Sequence, residues 1–244
     1  MDPDQVIYLS GAILVVAFLY SSVGHAGASG YIAVMSLFSL SPQVIKPTAL
    51  TLNILVASIA TWQFYRANHF SWRLFWPFAL LAVPCAFVGG YMNLPTHAFK
   101  VLVGCVLLFS ATRFLLPKPQ EQETSLPSLR VAIPVGAGLG FLSGLTGTGG
   151  GIFLTPLLLL MKWATTKPTA GVSALFILVN SVSGLAGNYA STAFLPSFAW
   201  VLAIVAVIGG TIGSYYGSSR FDHVIIKRML SIVLLIAGAK LILT

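Results

Sequence analysis

Charged residues are scarce in this chain. Asp, Glu, Lys and Arg make up 7% of its 244 residues, whereas hydrophobic residues make up 57%. Because a soluble domain carries about 25% charged residues, most of this surface must face something other than water. Apolar stretches of about 20 residues recur along the chain, which is the length of a transmembrane helix. The composition predicts an all-α polytopic membrane protein.

Acidic residues are scarcer still, and none falls within an apolar stretch. The five of them lie at termini or in loops: Asp2, Asp4, Glu121, Glu123 and Asp222. A cation carrier, or a proton relay built on carboxylates, usually requires such a residue within the membrane. The shortage therefore favours an anion over a cation as the substrate.

Other absences narrow the function further. The two cysteines, Cys85 and Cys105, have neither metal-site nor redox spacing. The chain lacks a Ser/His/Asp constellation, a zinc motif and paired membrane carboxylates, so we expect neither enzymatic activity nor a cofactor or metal. The net charge of +8 comes from single basic residues at loop edges. Membrane topology explains such scattered charges, and no nucleic-acid partner is expected.

Two glycine-rich breaks interrupt the apolar stretches, at 24–30 and 144–151. Their glycines coincide 120 positions apart in three registers, 24/144, 27/147 and 30/150. Each break is followed by an apolar run and then by Lys-Pro-Thr-Ala, at 46–49 and 167–170. The pairs Gly89-Gly90 and Gly209-Gly210 continue the same offset. This ordered series indicates an internal duplication.

Ten transmembrane spans are predicted, five in each repeat. Repeat one covers 1–116, a polar, proline-rich linker loop covers 117–129, and repeat two covers 130–244; together they form one membrane domain. The second span of each repeat, about 22 Å long as a helix, is shorter than the hydrocarbon core of about 30 Å, so helices 2 and 7 are expected to be broken or short. The spans are 5–23, 29–43, 45–66, 72–91, 97–116, 130–144, 150–163, 168–190, 196–217 and 223–243.

The basic residues of the loops distinguish two topologies. If all ten spans cross and the N-terminus lies outside, ten basic residues fall inside and three, Lys46, Lys100 and Lys240, fall outside. If spans 2 and 7 instead return to the side they came from, the best split is seven against six. The positive-inside rule favours the first arrangement, in which five crossings invert repeat two relative to repeat one. Both termini are then expected outside.

The two breaks are the predicted substrate site. Non-helical backbone at membrane depth must be buried in protein or line a wet cavity. A helix restarts after each break, and its first N–H groups are unpaired and lie at the positive end of the helix dipole. Two such N-termini, converging from opposite faces, would form a midplane anion site. The break residues assigned to it are Gly27, Ala28, Ser29 and Gly30 with Gly147, Thr148, Gly149 and Gly150.

Alternative roles remain open for the glycines and for five further side chains. The glycines could only allow close helix packing. Lys46 and Lys167, which are expected to begin the third helix of each repeat, either attract substrate or anchor that helix at the interface. His25 binds substrate, carries a proton or makes structural hydrogen bonds. Asn53 and Asn180 contact substrate or join neighbouring helices. All five are kept as substrate-binding candidates.

Repeat two continues after its break with the run Gly150-Gly151-Ile152-Phe153-Leu154-Thr155-Pro156-Leu157. Together with both breaks and the Lys-Pro-Thr-Ala repeats, this run resembles the sulfite exporter TauE/SafE family of membrane permeases. The similarity covers nearly the whole chain and is closer in repeat two, because repeat one has Ala28 and Ser29 at glycine-rich positions and adds His25. The resemblance implies transport of sulfur-containing anions across the bacterial inner membrane.

The predicted function is therefore a secondary transporter, an exporter of small sulfur-containing anions such as sulfonates or sulfite. It would work by alternating access at the midplane site. Two alternatives stay open: an anion channel of the same fold, and a transporter of small carboxylates without sulfur. The expected partners are the small anion and the lipid bilayer, with a homo-oligomer left open. The expected location is multi-pass in the inner membrane, with periplasmic termini.

Overall fold

The computed structural model describes residues 3–22, 25–115, 124–192, 195–217 and 223–243. In these ranges the chain is helical and contains no strand, which confirms the all-α prediction. Five helices are long and apolar enough to cross a membrane, and shorter apolar helices lie between them. In chain order the helices are α1 (Pro3–Ser22), α2 (Ala28–Leu37), α3 (Pro42–Arg66), α4 (Trp72–Tyr91), α5 (Thr96–Leu115), α6 (Leu129–Thr146), α7 (Gly151–Leu160), α8 (Thr166–Thr192), α9 (Ala199–Gly217) and α10 (His223–Leu243).

The helices that follow the two breaks are the shortest in the described chain. Both α2 and α7 have ten residues, so each is only about 15 Å long. Each begins after a glycine in the left-handed conformation, Gly27 and Gly150. Each ends shortly before another left-handed residue, Ser39 and Lys162. The prediction of short second helices is confirmed, and they are shorter than the apolar runs suggested.

The predicted start of α3 is wrong. Helix α3 begins at Pro42, with Ser41 as its N-cap, so Lys46 lies in its second turn and Pro47 inside the helix. The prediction placed the helix start at the Lys46-Pro47 pair, which is too late, because Pro42 already occupies the favourable first position of the helix. In repeat two the prediction is correct within one residue, since α8 begins at Thr166.

Helices pair mainly between the two repeats. Helix α4 packs on α6 and α8, and its counterpart α9 packs on α1 and α3. Helix α5 packs on α10, and α3 packs on α8. Each helix has a counterpart five places along the chain, and the contacts follow this correspondence. The α4–α6 contact corresponds to α9–α1 and the α4–α8 contact to α9–α3, whereas α5–α10 and α3–α8 each pair a helix with its own counterpart. The fourth helix of each repeat is therefore held by the other repeat.

A glycine seam joins α4 to α6. Its glycines are spaced four apart on one face of α6, and a Cβ on any of them would collide with a carbonyl oxygen of α4. Such small residues let two helix backbones approach closely in a membrane. The three contacts are Gly136 on Phe78, Gly140 on Ala82 and Gly144 on Ala86. These glycines therefore act in packing, the alternative role considered above.

The duplicated Gly-Gly pairs contact equivalent partners. Gly89 lies against Phe141 of α6, and Gly90 lies against Gly184 of α8. In the other repeat, Gly209 lies against α1 and Gly210 lies near Val56 of α3. Because α1 and α3 occupy in repeat one the places of α6 and α8 in repeat two, the sequence correspondence extends to contacts.

The directions of the paired helices follow from their contacts. Leu50 lies near Gly184, and Phe64, later in α3, lies near Gly171, earlier in α8. Helices α3 and α8 are therefore antiparallel.

Two other pairs are parallel. In α4 and α8, the Ser183 hydroxyl donates to the Val83 carbonyl oxygen, and farther along α8 the Asn93 amide, just beyond the end of α4, donates to Ser191. In α1 and α9, the contacts advance together along both helices, from Gly209 on Leu14 to Gly213 on Phe18.

Large apolar side chains cover the outside of the helical bundle. Trp62, Trp72 and Trp200 are each 62% exposed and lie near helix ends, where aromatic side chains meet the membrane interface. Between the ends, Leu80 of α4 and Ile204 of α9 are similarly exposed. Such a surface suits lipid rather than water, and the chain is a multi-pass membrane protein.

Candidate functional site

The second break is a run of left-handed glycines between α6 and α7. Gly147, Gly149 and Gly150 have φ values of 81°, 74° and 79°. Residues with a Cβ rarely adopt this conformation, which explains why the sequence places glycine there. Thr148, between them, is 1% exposed, and its hydroxyl shares a 2.9 Å hydrogen bond with that of Thr146.

Five consecutive backbone N–H groups are unpaired at this break. The amide of Gly147 donates to the Ser143 carbonyl oxygen, and the amide of Phe153 donates to that of Gly150. Between them, the N–H groups of residues 148–152 donate to no acceptor within the described part of the chain. Buried N–H groups without a partner are rare in proteins. Successive backbone N–H groups that a turn leaves free form an anion-binding concavity.

Two uncharged side chains reach the same break. A Cβ on Gly149 would lie 2.9 Å from both the Asn53 Nδ2 and the Ser181 Oγ. Asn53 comes from α3 and Ser181 from α8, and both are 0% exposed. Neither the amide of Asn53 nor the hydroxyl of Ser181 has a hydrogen-bond partner. The break of repeat two therefore receives a polar group from repeat one.

The first break also has a left-handed glycine and unpaired backbone N–H groups, but different side chains surround it. Gly27 has a φ of 98°, and the N–H groups of residues 26–30 donate to no acceptor in the described ranges. Ser29, 1% exposed, shares a 2.8 Å hydrogen bond with the Tyr20 hydroxyl. The buried Tyr31 hydroxyl has no partner, and a Cβ on Gly27 would lie 2.8 Å from it. Ala28 and Gly30 are buried beside it.

Ile177 of α8 connects the surroundings of the two breaks. It lies against Gly149 and Gly151. It also belongs to the same buried apolar cluster as Ala26 and Tyr31 of the first break. Ile177 therefore reaches the second break from the core that surrounds the first break, whereas the buried α7 residues Leu154 and Leu158 belong to a separate apolar cluster.

Lys46 is buried and fully engaged. It is 5% exposed, and its ammonium group donates to the carbonyl oxygens of Gly89, Gly90 and Met92 at 3.1, 2.7 and 3.0 Å. These carbonyls end α4, where the helix dipole favours a positive charge. An ammonium group has three N–H donors, and all three are used here. Its backbone, by contrast, lies near the second break, against Gly147.

The other predicted side chains lie in different surroundings. Lys167 is exposed at the start of α8, unlike its repeat partner. Asn180 is 0% exposed and donates to the Phe176 carbonyl oxygen of its own helix at 2.9 Å, while its amide oxygen is unpaired. His25 is half-buried, and its backbone N–H donates to the Tyr20 carbonyl oxygen at 3.0 Å. Gly24 lies outside the described residues.

The breaks hold no group of acidic, histidine or cysteine ligands for a metal. No cluster of three such residues occurs within the described ranges. The donors that the breaks offer are backbone N–H, amide and hydroxyl groups, which suit an anion's oxygen atoms.

A family model of the sulfite exporter TauE/SafE matches residues 9–241. The chain belongs to this family. The match spans both breaks and all ten helices in whole or in part, as the resemblance in sequence predicted.

Two similar proteins are named as membrane transporters. A "Probable membrane transporter protein y4hK" of Sinorhizobium fredii is 40% identical and covers 99% of this chain and 100% of its own length. A "Probable membrane transporter protein YdhB" of Bacillus subtilis is 24% identical over 94% of this chain and 98% of its own. No solved structure matches the chain.

The sequence pattern missed three residues around the breaks of this TauE/SafE protein. Tyr20 and Tyr31 flank the first break, and Ser181 lies beside Gly149. A signal for Ser181 was present, because it follows Asn180 and so forms a polar pair inside an apolar helix. No such signal marks the two tyrosines in the sequence, since aromatic residues are common throughout the chain.

Proposed function

We propose that this TauE/SafE protein is a secondary transporter that exports small sulfur-containing anions, such as sulfite or organosulfonates, across the bacterial inner membrane. The observation that carries the proposal is the second break: five consecutive unpaired N–H groups at the N-terminus of α7, buried in an apolar bundle. Partial positive charge without a charged side chain suits a small oxyanion that must also leave. The family supplies the sulfur chemistry.

The helix directions support ten crossings. If α7 returned to the side it came from, α3 and α8 would be parallel and α4 and α8 antiparallel, the reverse of what their contacts give. With α7 crossing, α1 and α9 are parallel only if α2 crosses as well. Five crossings in repeat one would invert repeat two, as in many secondary transporters. This agrees with the distribution of basic residues, which places both termini in the periplasm.

Alternating access is the mechanism that we propose. The anion binds at the N-termini of α2 and α7, which approach from opposite faces, while helix groups rock about the site. Export is downhill for an anion, because an inside-negative potential contributes about 2.3 kcal/mol per charge per 100 mV. Lys46 has no free donor for the anion, so we assign it to the end of α4 rather than to the route of the substrate.

The experiment measures sulfite flux into proteoliposomes that contain the purified protein. We expect saturable uptake, and we expect Gly150→Leu to abolish it because a side chain there would meet Phe176 and Ser143 in a left-handed backbone. Gly138→Leu is the matched control, since nothing lies within 4 Å of the place of its Cβ. Equal flux in both variants would contradict the role of the break.

Two further readouts test the alternatives. Flux that does not saturate, and never accumulates an anion against its gradient, would favour a channel. A competition panel of sulfite, thiosulfate, taurine, sulfoacetate and acetate tests the substrate class. Competition by acetate alone would overturn the sulfur assignment in favour of a carboxylate carrier.

A further inference from the structure

Asn53 is the least satisfied side chain of the described structure. It is 0% exposed, and neither its amide nitrogen nor its amide oxygen has a hydrogen-bond partner. An unsatisfied buried polar group costs the full desolvation penalty, about 1–3 kcal/mol for each. A leucine of similar size would avoid this cost, so the amide at this place requires a partner that is absent from the protein itself.

The position of Asn53 identifies where that partner lies. Its Nδ2 and the Ser181 Oγ each lie 2.9 Å from the point where a Cβ of Gly149 would be. Residues 148–152 present their unpaired N–H groups at this turn. Three elements, α3, α7 and α8, therefore bring donors without partners to one buried place.

The donors also limit the chemistry of the partner. All of them are uncharged, because the Lys46 ammonium bonds to the end of α4 and Lys167 is exposed at the start of α8. Uncharged donors in a buried place favour a compact anion whose oxygens accept several hydrogen bonds at once. The unpaired amide oxygen of Asn53 would repel a bare oxygen, so it would accept from a water molecule or from a donor on the same ligand.

We infer that Asn53 and Ser181, with the N–H groups of residues 148–152, form an oxyanion subsite that sets the affinity for the transported anion. Repeat one contributes the amide, and repeat two contributes the hydroxyl and the backbone. This inference rests on the proposed function and extends it, because it assigns selectivity to the second break and to a residue pair that joins the repeats.

The test measures equilibrium binding of sulfite, sulfate and acetate to the purified full-length protein and its variants. We expect Asn53→Leu and Ser181→Ala each to weaken binding of the preferred anion about tenfold or more, in line with the loss of one hydrogen bond to an ion in each variant. Asn53→Asp should abolish binding, since it places a negative charge against the anion. Asn188→Leu is the control: its amide oxygen is also buried and unpaired, but it lies two turns along α8 from Asn180.

Thermal unfolding separates this role from a structural one. Without ligand, Asn53→Leu should raise the Tm, because it removes two unsatisfied groups, although it weakens binding. A lower Tm together with unchanged affinity would overturn the inference and make Asn53 a packing residue. Ser181→Ala removes a single oxygen and keeps the test decisive if Asn53→Leu does not fold.

The outcomes distinguish the inference from the proposed function. Wild-type protein that binds only acetate, with the expected losses in the variants, would overturn the sulfur substrate but support the subsite. Wild-type protein that binds sulfite, with Asn53 and Ser181 variants that bind equally well, would overturn the subsite alone. Wild-type protein that binds none of the three anions would overturn both.

Discussion

The two breaks have the same backbone and different side chains. Each has left-handed glycine before a ten-residue helix and five unpaired N–H groups. Around the first are Tyr20, Ser29 and Tyr31, which belong to the same repeat. Around the second are Asn53 and Ser181, which come from different repeats. The backbone that would bear the charge of the proposed anion is the same in both breaks, whereas the side chains around it differ.

The largest expected effect comes from replacing the left-handed glycines that both breaks share. Gly149→Val and Gly27→Val should each abolish transport and lower stability by about 3 kcal/mol, because a β-branched residue is forced into the left-handed region against Ser181 or Tyr31. Flux into proteoliposomes and unfolding in detergent measure both losses. Gly138→Val, in open space, should change stability by about 0.5 kcal/mol or less, because valine is no poorer a helix former than glycine. Normal flux with Gly27→Val would show that only the second break carries substrate.

The next effect contrasts the duplicated lysines. Lys46→Met should destabilise the protein by about 3 kcal/mol, because three carbonyl oxygens at the end of α4 lose their donor. Lys167→Met should change stability by no more than about 0.5 kcal/mol, since this lysine is exposed. Chemical denaturation of both variants measures the difference. Equal stabilities would mean that the ammonium of Lys46 is replaceable by water.

A smaller effect concerns the hydroxyl groups of the first break. Tyr31→Phe removes an unpaired hydroxyl and should raise the KM for the anion about threefold, with little loss of stability. Tyr20→Phe should instead lower stability by about 1 kcal/mol and leave KM unchanged, because its hydroxyl is paired with Ser29. Kinetics of proteoliposome uptake separate the two. An unchanged KM in Tyr31→Phe would restrict side-chain recognition to the second break.

The smallest effect concerns His25, whose counterpart in the second break is Leu145. His25→Leu should change stability by no more than about 0.5 kcal/mol, because the position is half-buried and the backbone hydrogen bond to Tyr20 remains. If the imidazole carries a coupled proton, the variant loses the dependence of transport on pH. An identical pH profile in both proteins would remove His25 from the coupling mechanism.

Much of the fold could be predicted from the sequence because the membrane simplifies the pattern. Hydrophobic length gives the number of helices, and the clustered glycines give the positions of the breaks. The boundary at Lys46 failed, since two prolines compete for the start of α3 and only tertiary contacts decide between them. The approach of Asn53 to Gly149 could not be predicted either, because it joins residues 96 positions apart through helix packing.

The site was predictable in its backbone and unpredictable in its side chains. Glycine positions report a local conformational requirement, which the sequence carries directly. Whether Lys46 faces the anion or the end of α4 depends on a helix that begins 26 residues later, at Trp72. Its burial and its three hydrogen bonds therefore emerge only in the folded protein.

The glycine seam has a consequence for what one repeat can be on its own. The glycine face of α6 is covered by α4, a helix from the other half, and α9 is likewise held by α1. A five-helix fragment would expose such a face to lipid and lose the partner of its fourth helix. Under the proposed inverted arrangement, an ancestor with a single repeat would therefore have needed a second copy in the opposite orientation to cover these faces.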